Sequence, residues 1–216
     1  MPINDKSLLA AIEEAKKGSK ERNFKQTLEL IINLRDIDPK KPEDRFQELI
    51  ALPYRLSRER TVCVIASGDT ALRAKNSGAD LVIGRDDLEA MSKEKKKLRE
   101  IAKKYDFFIA EAPLMPLVGK YLGSTLGPKG KMPTPLPPNI DVAEEIKRYR
   151  NSVVVRLRSS NVLRCAVGSE EMRNEETLEN IKAVLSKIEG RLKKGVKNID
   201  SIYIKTTMGK PVKVTV

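Results

Sequence analysis

The middle of the chain contains a short apolar run, Thr61-Val62-Cys63-Val64-Ile65-Ala66, which ends in the polar residues Ser67-Gly68-Asp69. Two further apolar runs follow at 79–84 and 107–110, with helix-like stretches between them. Short apolar strands that alternate with helices are typical of a parallel sheet covered on both faces. We therefore expect a Rossmann-like, three-layer α/β domain in this part of the chain.

The helix-like stretches of this domain cover 70–76 and 86–104. A segment rich in Pro and Gly, 113–138, is expected to join the domain to a last helix at 141–150.

The sequence before this domain has a different pattern. Residues 4–17 predict a helix that Asn4 or Asp5 can cap and that Gly18 ends. Apolar and polar residues alternate over 24–34, which predicts a half-buried strand with Phe24 on its core side. A second strand is expected at 46–52.

The antiparallel pattern returns after residue 150. Residues 153–158 predict a strand, and 162–167 its hairpin partner. An amphipathic helix follows, and strands near 199–204 and 212–216 close the chain. The apolar stripe of the helix consists of Leu178, Ile181, Val184, Leu185 and Ile188.

The predicted fold class is therefore α/β with two domains. The first is a bipartite, two-layer α+β domain, an antiparallel sheet with helices, made of both chain ends, 1–60 and 151–216. The second is the α/β domain, 61–150, inserted into it. Both sizes are ordinary for domains.

The charge of the chain indicates its class of partner. Lys and Arg number 42 against 30 acidic residues, a formal net charge of +12. Such an excess favours a polyanion, because each neutralised phosphate releases condensed counterions. An anionic membrane surface would also suit the charge, but no apolar run approaches the ~20 residues that span a bilayer.

The chain contains no histidine, which excludes Ser–His and Cys–His nucleophile pairs and His-ligated zinc. Cys63 and Cys165 lack metal-ligand spacing, and we expect two free thiols rather than a disulfide. Residues 1–5 do not resemble a signal peptide. The sequence predicts a cytoplasmic protein with no catalytic residues, cofactor or metal.

Arginines on the predicted strands are candidate phosphate ligands. Arg156 and Arg158 share one strand face, and Arg164 lies on the expected neighbouring strand. A guanidinium can hold phosphate with two parallel hydrogen bonds. Residues 151–216 contain 13 basic and 7 acidic residues, so this part is the first place to seek a nucleic-acid face. A solvated outer sheet face remains the alternative.

The segment Thr206-Thr207-Met208-Gly209-Lys210-Pro211 follows a strand in which Ser201, Tyr203 and Lys205 share one face. Its hydroxyls could contact sugar or phosphate, and Gly209 allows close approach of a ligand. A hairpin turn that merely needs Gly and Pro is the alternative.

Three segments stand out together: Phe24-Lys25-Gln26-Thr27-Leu28-Glu29, then Leu126-Gly127-Pro128-Lys129-Gly130-Lys131-Met132-Pro133-Thr134-Pro135, and Thr206-Thr207-Met208-Gly209 with Ser201 ahead of it. In order and spacing they resemble the RNA-facing strand, the inserted-domain signature and the C-terminal turn of one ribosomal family. This family, the first protein of the large subunit, forms the mobile lateral stalk beside the tRNA exit site. The resemblance covers essentially all 216 residues. Lys131 and the prolines of 133–138 look closer to the archaeal branch.

The resemblance implies RNA contacts by Phe24 and Thr207, with Met208, Gly209 and Ser201 beside them. Together with the arginines and the RNA-facing strands, the full expected RNA-binding set is Phe24, Lys25, Thr27, Glu29, Arg156, Arg158, Arg164, Ser201, Lys205, Thr207, Met208 and Gly209.

The resemblance also implies the partners. The bipartite domain would bind a bulged, folded element of large-subunit rRNA, and a mimic of that element in its own mRNA, thereby repressing translation. The stalk would touch deacylated tRNA as it leaves and assist its release. The free protein would be a monomer, and its location the large ribosomal subunit.

Two other functions compete with this one. A nucleotide-binding α/β protein is disfavoured, because no G-x-G-x-x-G or complete Walker A motif is present: Gly130-Lys131 is followed by Met132. A basic DNA-binding protein suits the net charge equally well. The hydroxyl-rich turn favours RNA, since it suits 2′-hydroxyls. Scarce aromatic residues argue against stacking along single strands.

Overall fold

A computed structural model describes residues 4–20, 22–92, 94–136 and 141–215. The chain divides into two compact units: Met1–Arg58 with Asn151–Val216, here called the outer unit, and Glu59–Arg150, here called the insert. An antiparallel sheet, a parallel sheet and helices are all present. The predicted α/β fold class is therefore confirmed.

The helices are α1 (Asp5–Lys17), α2 (Gly68–Asn76), α3 (Arg85–Ser92), α4 (Lys95–Lys104), α5 (Met115–Leu126), α6 (Val142–Arg150) and α7 (Asn174–Glu189). The strands are β1 (Thr27–Leu34), β2 (Phe46–Ala51), β3 (Val62–Ile65), β4 (Leu81–Ile83), β5 (Phe107–Glu111), β6 (Thr134–Leu136), β7 (Ser152–Leu157), β8 (Val162–Ser169), β9 (Ile199–Thr206) and β10 (Val212–Lys213). Turns of 3₁₀ helix occupy Pro42–Asp44, Ala112–Leu114 and Gly195–Asn198.

The outer unit is built on an antiparallel sheet in the order β10-β9-β1-β8, and β2 pairs with β7 in a two-stranded sheet. Along β1 every second residue, from Leu28 to Leu34, is buried and the residues between are half-buried, because successive side chains of a strand point to opposite faces. The buried face packs with α1 and α7 in one hydrophobic core. The opposite face remains accessible.

The two helices of the outer unit follow their sequence signals. Asn4 caps α1, its Oδ1 accepting a hydrogen bond from the Lys6 N–H at 3.1 Å, and Gly18 ends the helix. The predicted apolar stripe of α7 is buried from Leu178 to Ile188. Both helix predictions are confirmed.

The predicted hairpin between 153–158 and 162–167 is wrong. β7 pairs with β2, with Leu157 opposite Phe46, whereas β8 pairs with β1, with Arg164 opposite Ile31. Consecutive strands pair in only about two-thirds of cases. Alternation identifies the strand and its buried face, but it carries no signal for the neighbouring strand.

The first strand begins three residues later than its alternation predicts. β1 starts at Thr27, and Phe24, which we placed on the core side, is 50% exposed. The alternation of β1 does not extend back to Phe24, because the residues before Thr27 lie outside the strand. The main-chain N–H of Gln26 donates to the Glu170 carboxylate, and its carbonyl accepts from the Glu170 N–H.

The insert contains a parallel sheet in the order β4-β3-β5-β6. Neighbouring residues of β5 pack to opposite sides: Phe108 joins the core formed with α3, α4 and α5, whereas Phe107 stacks edge-on against Tyr149 of α6 at 5.4 Å. β3 is buried throughout. The sheet is thus covered on both faces, which explains its uninterrupted apolar strands.

Two element predictions in the insert are wrong. The segment 113–138 contains α5 and β6, and Val118, Leu122 and Leu126 of α5 are buried. Their i, i+4 spacing outweighs two glycines, and Pro116 lies in the first turn, where its missing N–H costs nothing. The helix expected over 86–104 is divided into α3 and α4. The prolines at 137 and 138 lie outside the described residues.

Both cysteines are free, as predicted. Cys63 lies fully buried in the insert, where burial, together with the charge of Asp80, raises the pKa of its thiol to about 12. Cys165 packs against the core of the outer unit, and burial raises its pKa to about 12 as well. Within the described parts of the chain, no helix is both long and apolar enough to cross a bilayer.

Candidate nucleic-acid interface

The accessible face of the four-stranded sheet collects polar and basic side chains from several strands. We call it the outer sheet face. Strand register brings Glu29 opposite Lys205, Ile31 between Arg164 and Tyr203, and Asn33 opposite Ser201. Residues that are directly opposite in an antiparallel pair project to the same side. The polar and basic members of the face are Thr27, Glu29, Asn33, Arg164, Ser201, Tyr203, Lys205 and Lys213, and its apolar members are Ile31, Val162 and Ala166.

This face carries three cations, Arg164, Lys205 and Lys213, and one carboxylate, Glu29. Arg164 and Lys213 are exposed, and Glu29 and Lys205 are half-buried. A positive surface on a rigid sheet holds its charges at fixed spacing, which suits an ordered phosphate backbone.

Ser201 lies at the far end of the face and is only 6% exposed. Its hydroxyl accepts a hydrogen bond from the Asn33 amide at 2.9 Å and donates to Asp200 at 3.1 Å. Ser201 is therefore held in place by its neighbours.

The 206–211 segment forms the turn between β9 and β10, so the hairpin alternative describes its backbone correctly. The Thr207 hydroxyl accepts from the Thr27 N–H at 3.1 Å and donates to the Thr27 carbonyl at 3.3 Å. It thereby extends the pairing of β1 and β9 by one position. The hydroxyl that we expected to meet RNA is engaged with the protein backbone.

Gly209 is required by close approach, as the sequence suggests, but the approaching group belongs to the protein. A Cβ atom at this position would lie 2.2 Å from the Thr206 hydroxyl oxygen. Thr206 is fully buried. The turn is therefore packed against a side chain that has little room to move.

Two apolar side chains project from this end of the outer unit. Met208 is 61% exposed and Phe24 is 50% exposed. They are connected through Gln26, which lies two residues after Phe24 and whose Oε1 accepts from the Met208 N–H at 3.1 Å. The turn and the segment before β1 are therefore adjacent, and together they are here called the Met208 end.

Gln26 was missed as a site residue. It is 1% exposed, and its side-chain amide donates to the Ser19 hydroxyl at 2.6 Å and to the Lys20 carbonyl at 3.0 Å. The only sequence signal is a polar residue next to a strand, which does not distinguish a buried amide from a solvated one. The expected RNA-binding set also lacks Tyr203, although alternation places it on one face with Ser201 and Lys205.

Lys25 is exposed at the Met208 end, but its charge is paired. Its ammonium lies 2.8 Å from the Glu171 carboxylate. The hydrogen bond to Glu171, with the accompanying charge attraction, raises the pKa of Lys25. An RNA phosphate would have to compete with this carboxylate.

The three arginines that we predict to act together do not share one sheet. Arg164 belongs to the outer sheet face, whereas Arg156 lies on β7 in the two-stranded sheet and Arg158 follows the end of β7. All three are exposed. Their grouping is wrong because it depended on the β7–β8 hairpin.

In the insert, the protein's own carboxylate fills the place where parallel α/β sheets bind phosphate. Glu111, at the carboxyl end of β5, accepts from the Ser67 N–H at 3.1 Å and the Ser67 hydroxyl at 3.0 Å. It also accepts from the Thr70 hydroxyl in the first turn of α2 at 3.2 Å. A nucleotide phosphate uses this kind of position, so Glu111 opposes nucleotide binding both sterically and by charge.

The insert also carries a basic helix surface. The exposed residues of α4 include Lys96, Lys97, Arg99, Lys103 and Lys104, with Glu100 as the acidic one. Lys131 of the Gly-Pro-rich signature donates to the Ala102 and Tyr105 carbonyls at 3.2 and 2.6 Å. Lysines near a helix C-terminus satisfy its last carbonyls in this way. The signature loop is thereby fastened to α4.

No group of His, Cys, Asp or Glu that could hold a metal ion occurs among the described residues.

The model of the Ribosomal protein L1p/L10e family matches residues 12–210. Among similar proteins, "Large ribosomal subunit protein uL1" of Thermofilum pendens is 49% identical over 212 residues, covering 97% of this chain and 93% of that relative. The protein of the same name from Methanothermobacter thermautotrophicus is 44% identical over 207 residues, covering 96% and 98%. That from Archaeoglobus fulgidus is 42% identical over 214 residues, covering 99% and 100%.

These matches confirm the archaeal-type resemblance and the predicted location in the large ribosomal subunit. They also confirm that the protein is not an enzyme, because the family consists of structural ribosomal proteins. The chain belongs to the Ribosomal protein L1p/L10e family and is a structural protein of the large ribosomal subunit.

Proposed function

We propose that the outer unit, as the bipartite RNA-binding domain, binds a folded, bulged element of large-subunit rRNA and forms the lateral stalk with it. The observation that carries the proposal is the continuity of the outer sheet face with the Met208 end. Cations on the sheet would hold phosphates, while Met208 and Phe24 would fill the irregular surface of a bulge. All members of the predicted RNA-binding set except Arg156 and Arg158 belong to this surface.

Recognition would depend on the shape of the RNA. Four Phe, five Tyr and no Trp in 216 residues offer few platforms for stacking successive bases. A rigid sheet with a closely packed turn instead presents fixed contacts to sugars and phosphates. This requirement for a preformed RNA surface favours a structured element over a single strand.

The insert would add a weaker second contact. Its α4 surface carries cations at successive turns, and only Lys97 has a close acidic partner, Glu94 at 2.8 Å, among the ion pairs of α4 in the described residues. Such a helix face attracts phosphate without reading sequence. Deacylated tRNA is the proposed partner of this surface during release from the exit site.

Translational repression is the regulatory part of the proposal. A messenger that carries a mimic of the stalk element would compete for the same surface of the outer unit. The free protein would bind it as a monomer. Repression therefore requires that rRNA and mRNA exclude each other, which a competition assay measures directly.

The decisive experiment measures the affinity of the whole protein for the rRNA stalk element across a salt series. Three controls accompany it: a scrambled RNA hairpin of equal length, the stalk sequence as DNA, and deacylated tRNA. We expect the stalk RNA to remain bound at about 200–300 mM salt, where affinity that depends on phosphates alone has fallen steeply.

Equal affinities for stalk and scrambled RNA, both lost with salt, would leave only the +12 charge as the cause of binding and would refute the proposal. Equal affinity for the DNA version would instead favour the DNA-binding alternative, because 2′-hydroxyls would then contribute nothing.

A further inference from the structure

The Met208 end is held together by one buried side chain, that of Gln26. Its carboxamide makes three hydrogen bonds: it accepts from the Met208 N–H and donates to the Ser19 hydroxyl and the Lys20 carbonyl. These partners belong to the segment after α1 and to the turn after β9. Met208 is 182 residues from Gln26 in the chain, so this contact exists only in the folded outer unit.

The main chain of Gln26 fastens a third segment. Its N–H donates to the Glu170 carboxylate at 2.9 Å, and its carbonyl accepts from the Glu170 N–H at 3.0 Å. Gln26 thus lies where the residues after α1, after β8 and after β9 meet. The bonds to Glu170 hold the backbone of Gln26 in place independently of its side-chain bond to the turn.

Further hydrogen bonds around the carboxamide fix the conformation of the turn. The Thr206 hydroxyl donates to the Ser19 hydroxyl at 3.1 Å, and the Gly209 N–H donates to the Thr206 carbonyl at 3.1 Å. Ser19 therefore connects Gln26 to Thr206, against which Gly209 packs. Loss of the carboxamide would leave the Met208 N–H without its partner and would remove one of the two hydrogen bonds that the Ser19 hydroxyl accepts.

The chemistry of this position requires an amide. A glutamate could accept from the Met208 N–H, but it could not donate to the Lys20 carbonyl, and two oxygens would face each other. A methionine would match the size and lose all three bonds. A buried polar group without a hydrogen-bond partner lowers the free energy of unfolding by more than a typical hydrogen bond contributes to it.

We infer that Gln26 is a positioning residue for RNA recognition, which presets the Met208–Gly209 turn and the Phe24 segment in one fixed arrangement before RNA arrives. This inference rests on the proposed function only for its RNA part. Preorganisation matters because a turn that must order on binding subtracts that entropy from the affinity. Gln26 acts through Met208 and does not itself need to touch RNA.

The chain offers a matched control in Asn180, another fully buried carboxamide of the outer unit. It accepts from the Tyr54 N–H at 2.9 Å and donates to the Tyr54 and Val167 carbonyls at 3.0 and 2.9 Å. Gln26→Met and Asn180→Leu each remove three hydrogen bonds from the same unit. Both should lower its thermal stability, but only the first concerns the Met208 turn.

The first measurement uses no RNA. Hydrogen exchange of the Met208 amide, followed by NMR in the whole protein, should accelerate at least about tenfold in Gln26→Met and stay near the wild-type rate in Asn180→Leu. Gln26→Glu keeps the acceptor for the Met208 N–H but turns an oxygen toward the Lys20 carbonyl, so its Met208 amide should exchange faster than in the wild type and more slowly than in Gln26→Met. An unchanged Met208 amide in Gln26→Met would overturn the inference whatever the RNA results are.

The second measurement is affinity for the rRNA stalk element, at a temperature where all variants are folded. Gln26→Met should bind about tenfold more weakly with an unchanged salt slope, since no phosphate contact is removed. Combined with Met208→Ala, it should add little further loss, because both act through one contact. Additive losses, or equal losses in Asn180→Leu, would refute positioning. If the unmodified protein does not prefer stalk RNA, the proposed function is refuted, but the fixing of the Met208 turn by Gln26 is not.

Discussion

The two units of this chain differ in how many faces of their sheets are covered. The outer unit buries one face of its antiparallel sheet under α1 and α7 and leaves the other face accessible. The insert covers both faces of its parallel sheet, and Glu111 closes the edge where such sheets bind phosphate. An open sheet face can present side chains in fixed register to a large ligand. A covered sheet leaves only its helices and loops for that purpose.

The largest loss of RNA affinity is expected from a change at a glycine of the outer unit. Gly209→Ala places a Cβ atom against the buried Thr206 hydroxyl in the outer unit. We expect stalk-RNA affinity to fall by roughly 10- to 100-fold, because overpacking costs about 1–3 kcal/mol and displaces the turn.

The insert provides the control for this change. A Cβ atom at Gly119, inside α5, meets nothing within 4 Å, so Gly119→Ala should be neutral or stabilising by up to about 1 kcal/mol. Titration of the stalk element and thermal unfolding test both variants. Equal RNA affinity of the two would contradict the importance of the turn.

The next largest effect is expected at Thr207. Thr207→Val keeps the shape of the side chain and leaves the Thr27 N–H and carbonyl without their hydroxyl partner. We expect about a tenfold loss of stalk-RNA affinity through loosening of the turn. Thr207→Ser retains the hydroxyl and should bind within about twofold of the original protein. If serine fails as badly as valine, the methyl group rather than the hydroxyl carries the effect.

A smaller effect should separate two arginines that look equivalent in sequence. Arg164→Gln removes a cation from the outer sheet face, whereas Arg156→Gln changes the other sheet of the same unit. We expect the first to weaken RNA binding a few-fold and to reduce the salt slope by about one. The second should change both quantities less. A reversed order would move the proposed interface to the β2–β7 sheet.

The smallest effect on RNA is expected in the insert. Glu111→Ala removes the acceptor of two hydroxyls and the Ser67 N–H, so the insert should lose about 1 kcal/mol of stability. Stalk-RNA affinity should not change. Thermal unfolding and RNA titration of the same preparation measure the two quantities. A large loss of affinity would mean that the carboxyl edge of the insert takes part in binding.

Much of the candidate site could be read from local pattern. Alternation places Ser201, Tyr203 and Lys205 on one face, as β9 shows, and the turn residues 206–209 lie where the family motif predicts. The hydrogen-bond partners of these residues within the protein could not be predicted from the sequence. Thr207 pairs with Thr27 across 180 positions of the chain, and periodicity describes only neighbours in sequence.

The fold class, the buried faces of the regular strands and helices, and the family all follow from the amino-acid sequence. These properties depend on periodicity and on short motifs, which are local. Three features depend on tertiary contacts instead: β8 pairs with β1 while β7 pairs with β2, Phe24 is exposed, and Gln26 is buried. Strand neighbours and the burial of a polar side chain depend on contacts between distant segments, and no local pattern records the free energy of those contacts.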